Sequence, residues 1–181
     1  MPETRSPVAR RFVALAGLAP KQLVLVLGSR TGTLAVEAKQ IHPDTTIVGV
    51  DADPAMVARA RRRAERGLVV VRFDLGHPTD LPYGGNTFDR VLAGRLLHLA
   101  PAVSAVSILL QVLRILRPEG RLSVLLPGVA VARFAADLVD AGFDLVGTER
   151  VTPGRDALQV VTAARSTGGR ERACSTISPR R

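Results

Sequence analysis

The chain has 181 residues, 46% of them apolar and 23% charged, with a net charge of +9. That is the length of one domain with a sizeable core, and it excludes a disordered or collagen-like polymer. No apolar run approaches the roughly 20 residues of a membrane helix, and the single cysteine excludes a disulfide framework or a multi-cysteine zinc site. The Arg-rich start, MPETRSPVARR, leads into only VALAGLA with no convincing cleavage site, so a cytoplasmic protein is expected.

The positive charge is concentrated in three places. Residues 1–11 hold three Arg against one Glu, and residues 165–181 hold five Arg against one Glu. The run Arg59, Arg61, Arg62, Arg63, Glu65, Arg66 carries +4, more than the +3 that the tails leave for residues 12–164. Basic tails and one basic helix face read as solvating surface. Aromatic residues are only 3% and there is no Trp, so stacking platforms for single strands are nearly missing and a nucleic-acid partner is not expected.

In chain order, about 20 residues, 1–20, form an N-terminal helical segment ahead of the first strand. Gln22–Leu27, Thr46–Val50, Leu68–Phe73, Arg90–Ala93 and Leu122–Leu126 are short runs rich in Val and Leu, as parallel strands covered on both faces are. Between them, Thr33–Ile41, Pro54–Arg66, Ala102–Leu116 and Val129–Ala141 have helical length, with Pro54 suited to a first turn. Val103, Val106, Leu110, Leu113 and Leu116 recur at spacings of three and four as one apolar face. Gly120 reads as the turn after the third helix and Gly142 as the end of the fourth. Phe143–Thr148 and Ala157–Ala164 follow as strands around a Pro153-Gly154 turn, able to pair antiparallel at a sheet edge. The alternation predicts an α/β fold: a Rossmann-like, doubly wound, mostly parallel seven-stranded sheet with helices on both faces. Residues 165–181 shift to Ser, Gly, Arg, Thr and Pro and read as a disordered Arg-rich tail, with Cys174 incidental within it.

The first strand runs into Gly28-Ser29-Arg30-Thr31-Gly32, a glycine-bearing turn ahead of a helix. Such a turn brings bare backbone and free N–H groups to a ligand, although it also occurs merely for packing. Asp51 closes the second strand, 23 residues after Gly28, where an acidic side chain accepts the hydroxyls of a ribose. It competes with a reading as helix cap, a role that Asp53 fits better. Asp74 ends the third strand and is either an acceptor for an adenine amine or a turn residue. A nicotinamide fingerprint G-x-G-x-x-G is absent, because positions 30 and 33 are Arg and Thr.

Four ordered motifs carry a resemblance: VLVLGSRTG, GVDADPAMVARAR, FDLGHPTDLPYGGNTFD and RILRPEG. Their order resembles the class I S-adenosylmethionine-dependent methyltransferases, nearest to the small-molecule branch that includes quinone-biosynthesis enzymes. The resemblance covers about residues 12–164, and residues 21–164 are expected to form the methyltransferase-like domain. It implies S-adenosyl-L-methionine as cofactor, a small-molecule methyl acceptor, and cofactor contacts at Gly28, Ser29, Arg30, Gly32, Asp51, Ala52, Asp74, Leu75 and Gly94. It places His98 on the substrate side, as a general base for a hydroxyl or carbon acid or as a packed structural residue. Arg95 reads either as an anchor for an anionic substrate or as surface, Tyr83 as packing at the cleft rim, His42 as a helix-end residue and His77 as a loop residue. No His, Cys or carboxylate pair has metal-ligand spacing.

The chain departs from the family pattern at two positions. The acidic residue that faces the methionine amine falls on Val26, and the middle glycine of the turn falls on Arg30. Arg30 either turns outward or pairs with the methionine carboxylate; alternatively the domain has lost the cofactor and serves as a binding or scaffold subunit. Segments that usually build a substrate lid are short here, which implies an open cleft, or a homodimer or partner subunit that covers it.

Overall fold

The computed structural model describes residues 6–94, 104–152 and 157–166. Seven strands form one sheet: β1 (Leu23–Leu27), β2 (Thr46–Asp51), β3 (Arg72–Leu75), β4 (Phe88–Ala93), β5 (Leu116–Pro127), β6 (Phe143–Arg150) and β7 (Leu158–Arg165). Their order is β3-β2-β1-β4-β5-β7-β6. The first five strands are parallel, and β7 runs antiparallel between β5 and β6. Among the described residues, five α-helices flank the sheet: α1 (Pro7–Leu15), α2 (Thr33–Ile41), α3 (Pro54–Arg66), α4 (Ala105–Ile115) and α5 (Val131–Asp140). This is the mostly parallel, seven-stranded Rossmann-like arrangement that the alternating runs predict.

Local chemistry explains the helix starts. Ser6 Oγ accepts from the Ala9 N–H at 3.2 Å and caps α1, with Pro7 in the first turn. Asp53 Oδ1 accepts from the Ala55 N–H at 2.8 Å and caps α3 ahead of Pro54. Gly32 caps α2 with φ +79, a left-handed conformation natural to glycine. A Cβ there would lie 2.9 Å from Ala60 Cβ and 3.1 Å from Phe73 Cζ, so this glycine also lets α3 and β3 close on the turn.

Alternation along β1 divides the core. Leu25 and Leu27 join the cluster under α4 and α5, with Val91, Ala93, Ile108, Val112, Leu122 and Phe134. Val24 and Val26 join the opposite cluster, with Phe12, Val13, Ala35, Val57, Ala60 and Phe73 from α1, α2, α3 and β3.

Three expectations shift. The third strand is not Leu68–Phe73 but Arg72–Leu75. Leu68 has φ +52 and is 94% exposed, and Val70 is 86% exposed, because the chain leaving α3 reaches its partner only at the Val48↔Arg72 pair. The packed face of α4 is Ile108, Leu109, Val112 and Ile115, whereas Leu110 is half exposed. Nearly every position of that helix is apolar, so more than one set at three-four spacing exists and the sheet selects among them. Arg117–Gly120 form a bulge at the start of β5, between the pairs Phe88↔Leu116 and Arg90↔Arg121. His98, Arg95, Pro153-Gly154 and most of the 165–181 tail, including Cys174, lie outside the described residues. Among the described residues, no helix is long and apolar enough to cross a membrane.

Candidate functional site

Parallel register brings the carboxyl ends of four strands to one edge. Leu27 pairs with Val50 on one side and Ala93 on the other, and Val50 pairs with Asp74. The strand order reverses between β1 and β4, and a crevice opens at that point in sheets of this type. The ends of β1, β2, β3 and β4 and the turns after them therefore converge, carrying Gly28–Gly32, Asp51–Ala52, Asp74–Leu75 and Gly94.

A cavity of about 550 Å³ occupies the crevice, well within the range of small-molecule sites. The glycine turn and the start of α2 line it with Gly28, Ser29, Arg30, Thr31 and Thr33, and Gly94 lies beside Leu34 of that helix. The rest of the lining is mostly apolar: Val8, Ala9 and Phe12 of α1 behind its cap Ser6, with Leu125, Leu126, Pro127 and Leu158. Helix α1 thus covers one side of a cleft that the sequence implied to be open or closed by a partner. These wall residues escape sequence reasoning, since Phe12 and Leu125 look like ordinary core positions.

The turn is held by backbone and by Asp51. Ser29 N–H donates to Val50 O at 2.9 Å, and Gly32 N–H to Ser29 O at 2.8 Å. Arg30 adopts φ +48, and its N–H donates to Asp51 Oδ2 at 2.7 Å. The other carboxylate oxygen, Asp51 Oδ1, accepts from the Asp53 N–H at 3.1 Å. Asp51 is therefore neither the cap of α3 nor a free carboxylate: it ties the β1 turn to the β2 turn while buried. A carboxylate has about four acceptor sites, so each oxygen keeps capacity for a hydroxyl.

Asp74 sits in a second polar group. Tyr83 Oη donates to Asp74 Oδ2 at 3.0 Å, and Arg72 pairs with the same oxygen at 2.8 Å. Asp74 Oδ1 carries no bond from another described residue and stays available to an exocyclic amine. Burial, reinforced by the Asp74 charge, pushes the Tyr83 phenol well above the usual tyrosine range, with Arg72 opposing. Tyr83 also packs edge-on against Phe88, with ring centroids 5.0 Å apart. Leu75 is 56% exposed and Ala52 is exposed beside these carboxylates, where a flat ring could lie.

Residues 24–120 match the family model described as "Methyltransferase domain", more than half of the chain. The chain belongs to the class I S-adenosylmethionine-dependent methyltransferases. Among its relatives, nocamycin O-methyltransferase of Saccharothrix syringae is 37% identical over 120 residues, 65% of this chain and 42% of that protein. Demethylmenaquinone methyltransferase of Symbiobacterium thermophilum is 31% identical over 128 residues, 69% of this chain and 50% of that one. The chain thus spans half or less of the length of these curated relatives. Its fold is similar to that of a Haloferax volcanii methyltransferase solved with the Trm112 activator, with TM-score 0.76 and 16% identity over 90% of both chains.

S-adenosylmethionine is the cofactor of this family, and the residues present fit it unevenly. Asp51 and Asp74 both keep acceptor capacity at adjacent strand ends, chemistry that suits the hydroxyls and amine of an adenosine. Ser29, which lines the cavity, has a buried Oγ without a hydrogen-bond partner. At position 26, where the family pattern has an acidic residue, this chain has Val26, 1% exposed and sealed among apolar side chains. Of the residues predicted to touch cofactor, Gly28, Ser29, Arg30 and Gly94 line the cavity. Asp51, Ala52, Asp74 and Leu75 lie along the same strand-end edge outside its lining, and Gly32 is engaged in packing.

Proposed function

We propose that this domain binds S-adenosylmethionine across the β1, β2 and β3 strand ends and methylates a small-molecule acceptor held against the apolar wall of the cavity. The observation that carries this reading is the mixed lining of one cavity of about 550 Å³, in which the polar glycine turn meets Val8, Ala9, Phe12, Leu125, Leu126 and Leu158. When bound, the cofactor supplies an electrophilic methyl group on a positively charged sulfur.

The chain's own residues bind and orient. Asp51 takes the ribose hydroxyls while bracing the turn, Asp74 Oδ1 takes the adenine amine, and the bare backbone at Gly28 and Gly94 permits close approach. Ala52 and Leu75 flank the adenine. The apolar wall excludes water and aligns the acceptor, the main contribution a protein makes to an in-line displacement. His98, four residues after Gly94 in sequence, is the base in this reading if the acceptor is a hydroxyl or carbon acid.

The test is calorimetric titration with S-adenosylhomocysteine, followed by methyl-transfer assays against apolar phenols and quinols and against a protein acceptor. Micromolar binding with transfer to a small acceptor supports the reading. Binding with transfer only to protein overturns the acceptor class, and absence of binding overturns the whole reading.

A further inference from the structure

We propose that Arg30 recognises the amino-acid end of the cofactor through its carboxylate, so that affinity depends on the carboxylate and hardly on the amine. The inference rests on the binding mode proposed above and concerns the one wall on which this chain departs from its family.

Three observations converge. Arg30 is the only charged residue among the described residues that line the cavity. Its side chain is exposed, and its guanidinium makes no hydrogen bond or ion pair with another described residue, while its backbone is fixed by the 2.7 Å bond to Asp51. The position where an acid would meet an ammonium is Val26, packed in the cluster of Phe12, Val13 and Phe73 and closed to a ligand.

The electrostatics of the wall point one way. The cap of α2 is Gly32, which makes no side-chain bond to the first turn, so the N–H groups there present partial positive charge beside Arg30. A zwitterionic group arriving at this wall meets a guanidinium and a helix N-terminus, and no acid among the described residues that line the cavity, Asp51 being engaged by the Arg30 and Asp53 N–H groups outside that lining. Its carboxylate is attracted, and a planar guanidinium can hold it through two parallel bonds. Its ammonium is left to solvent.

The full chain is titrated calorimetrically with S-adenosylhomocysteine, its decarboxylated analogue and its deaminated analogue, as wild type, Arg30→Met and Arg30→Lys. Met keeps a side chain in the same left-handed backbone, and thermal melts report whether each variant is folded. Loss of the carboxylate is expected to weaken wild-type binding about tenfold or more, as for a charge-assisted pair. Loss of the amine is expected to change it less than about threefold. Arg30→Met brings S-adenosylhomocysteine down to the affinity of the decarboxylated analogue, and Arg30→Lys falls between. Equal affinity of wild type and Arg30→Met for S-adenosylhomocysteine, or a larger loss from removing the amine, overturns the inference and leaves the adenosine site standing. If S-adenosylhomocysteine does not bind the wild type at all, the proposed function falls with it.

Discussion

Replacing Asp51 by Ala separates a structural role from a binding role at one carboxylate. In the folded chain Asp51 accepts the Arg30 N–H at 2.7 Å and the Asp53 N–H at 3.1 Å, and it is only 8% exposed. Hydrogen bonds to a charged group are worth about 1.5–3 kcal/mol each. The longer bond, to an exposed residue, belongs at or below the lower end of that range, so Asp51→Ala is expected to lose about 3 kcal/mol. For a domain of this length that lowers Tm by about 6–12 °C. Asn keeps one carbonyl acceptor but turns an N–H₂ toward the other donor, so about half the loss is expected. Urea unfolding followed by circular dichroism measures both, with an unchanged m-value as the check on two-state behaviour. A loss in Asp51→Ala below about 0.5 kcal/mol, the range of an ordinary surface change, would refute the bracing role. Because Arg30 is positioned through this bond, the Ala variant is also expected to weaken S-adenosylhomocysteine binding more than removal of a ribose hydroxyl from the ligand does.

Gly49→Ala would place a Cβ 2.5 Å from Phe73 Cδ1 and 3.0 Å from Ser29 Cβ, and overpacking this buried ring is expected to cost about 2 kcal/mol in chemical denaturation. Arg30 stands at φ +48, so Arg30→Gly is expected to be about 1 kcal/mol more stable than Arg30→Ala, which keeps the strained backbone; equal stabilities would contradict that strain. Tyr83 is the only tyrosine and there is no Trp, so near-ultraviolet absorbance reads its titration directly. Burial and Asp74 raise its pKa in the folded state above the unfolded value of about 10. The protonated phenol therefore contributes stability below about pH 10, and that contribution is lost as pH climbs toward the folded value. Tyrosinate appearing at the model-peptide pH in the native protein would sink the argument. Tyr83→Phe keeps the ring contact with Phe88 and removes the bond to Asp74, for a loss of about 1 kcal/mol by thermal melt.

The elements were legible from sequence wherever the signal was local. Thr33–Ile41 and Pro54–Arg66 are the helices their patterns predict, because Pro54, Asp53 and the glycine turn act within a few residues of themselves. The parallel strands of Val and Leu, and the order of the turns that follow them, carry the family resemblance for the same reason: each motif is a strand end with its adjoining loop. Leu68–Val70 shows the limit, since three apolar residues of high strand propensity stay outside the sheet when no partner lies within reach.

What tertiary structure alone decided is which distant residues meet. The antiparallel β6–β7 pair at the sheet edge was readable from the sequence, but the placing of β7, rather than β6, against β5 follows from tertiary pairing alone. That Val26 faces the apolar α1–α3 layer, leaving Arg30 as the sole described charge on the cavity wall, depends on sheet parity and on the packing of α1. Asp51 was readable as a carboxylate at a strand end, but its grip on the Arg30 N–H spans 21 residues and exists only once β1 and β2 are in register. Local propensity acts through neighbours in the chain, whereas a site is made of neighbours in space, and only the packed sheet brings the two together.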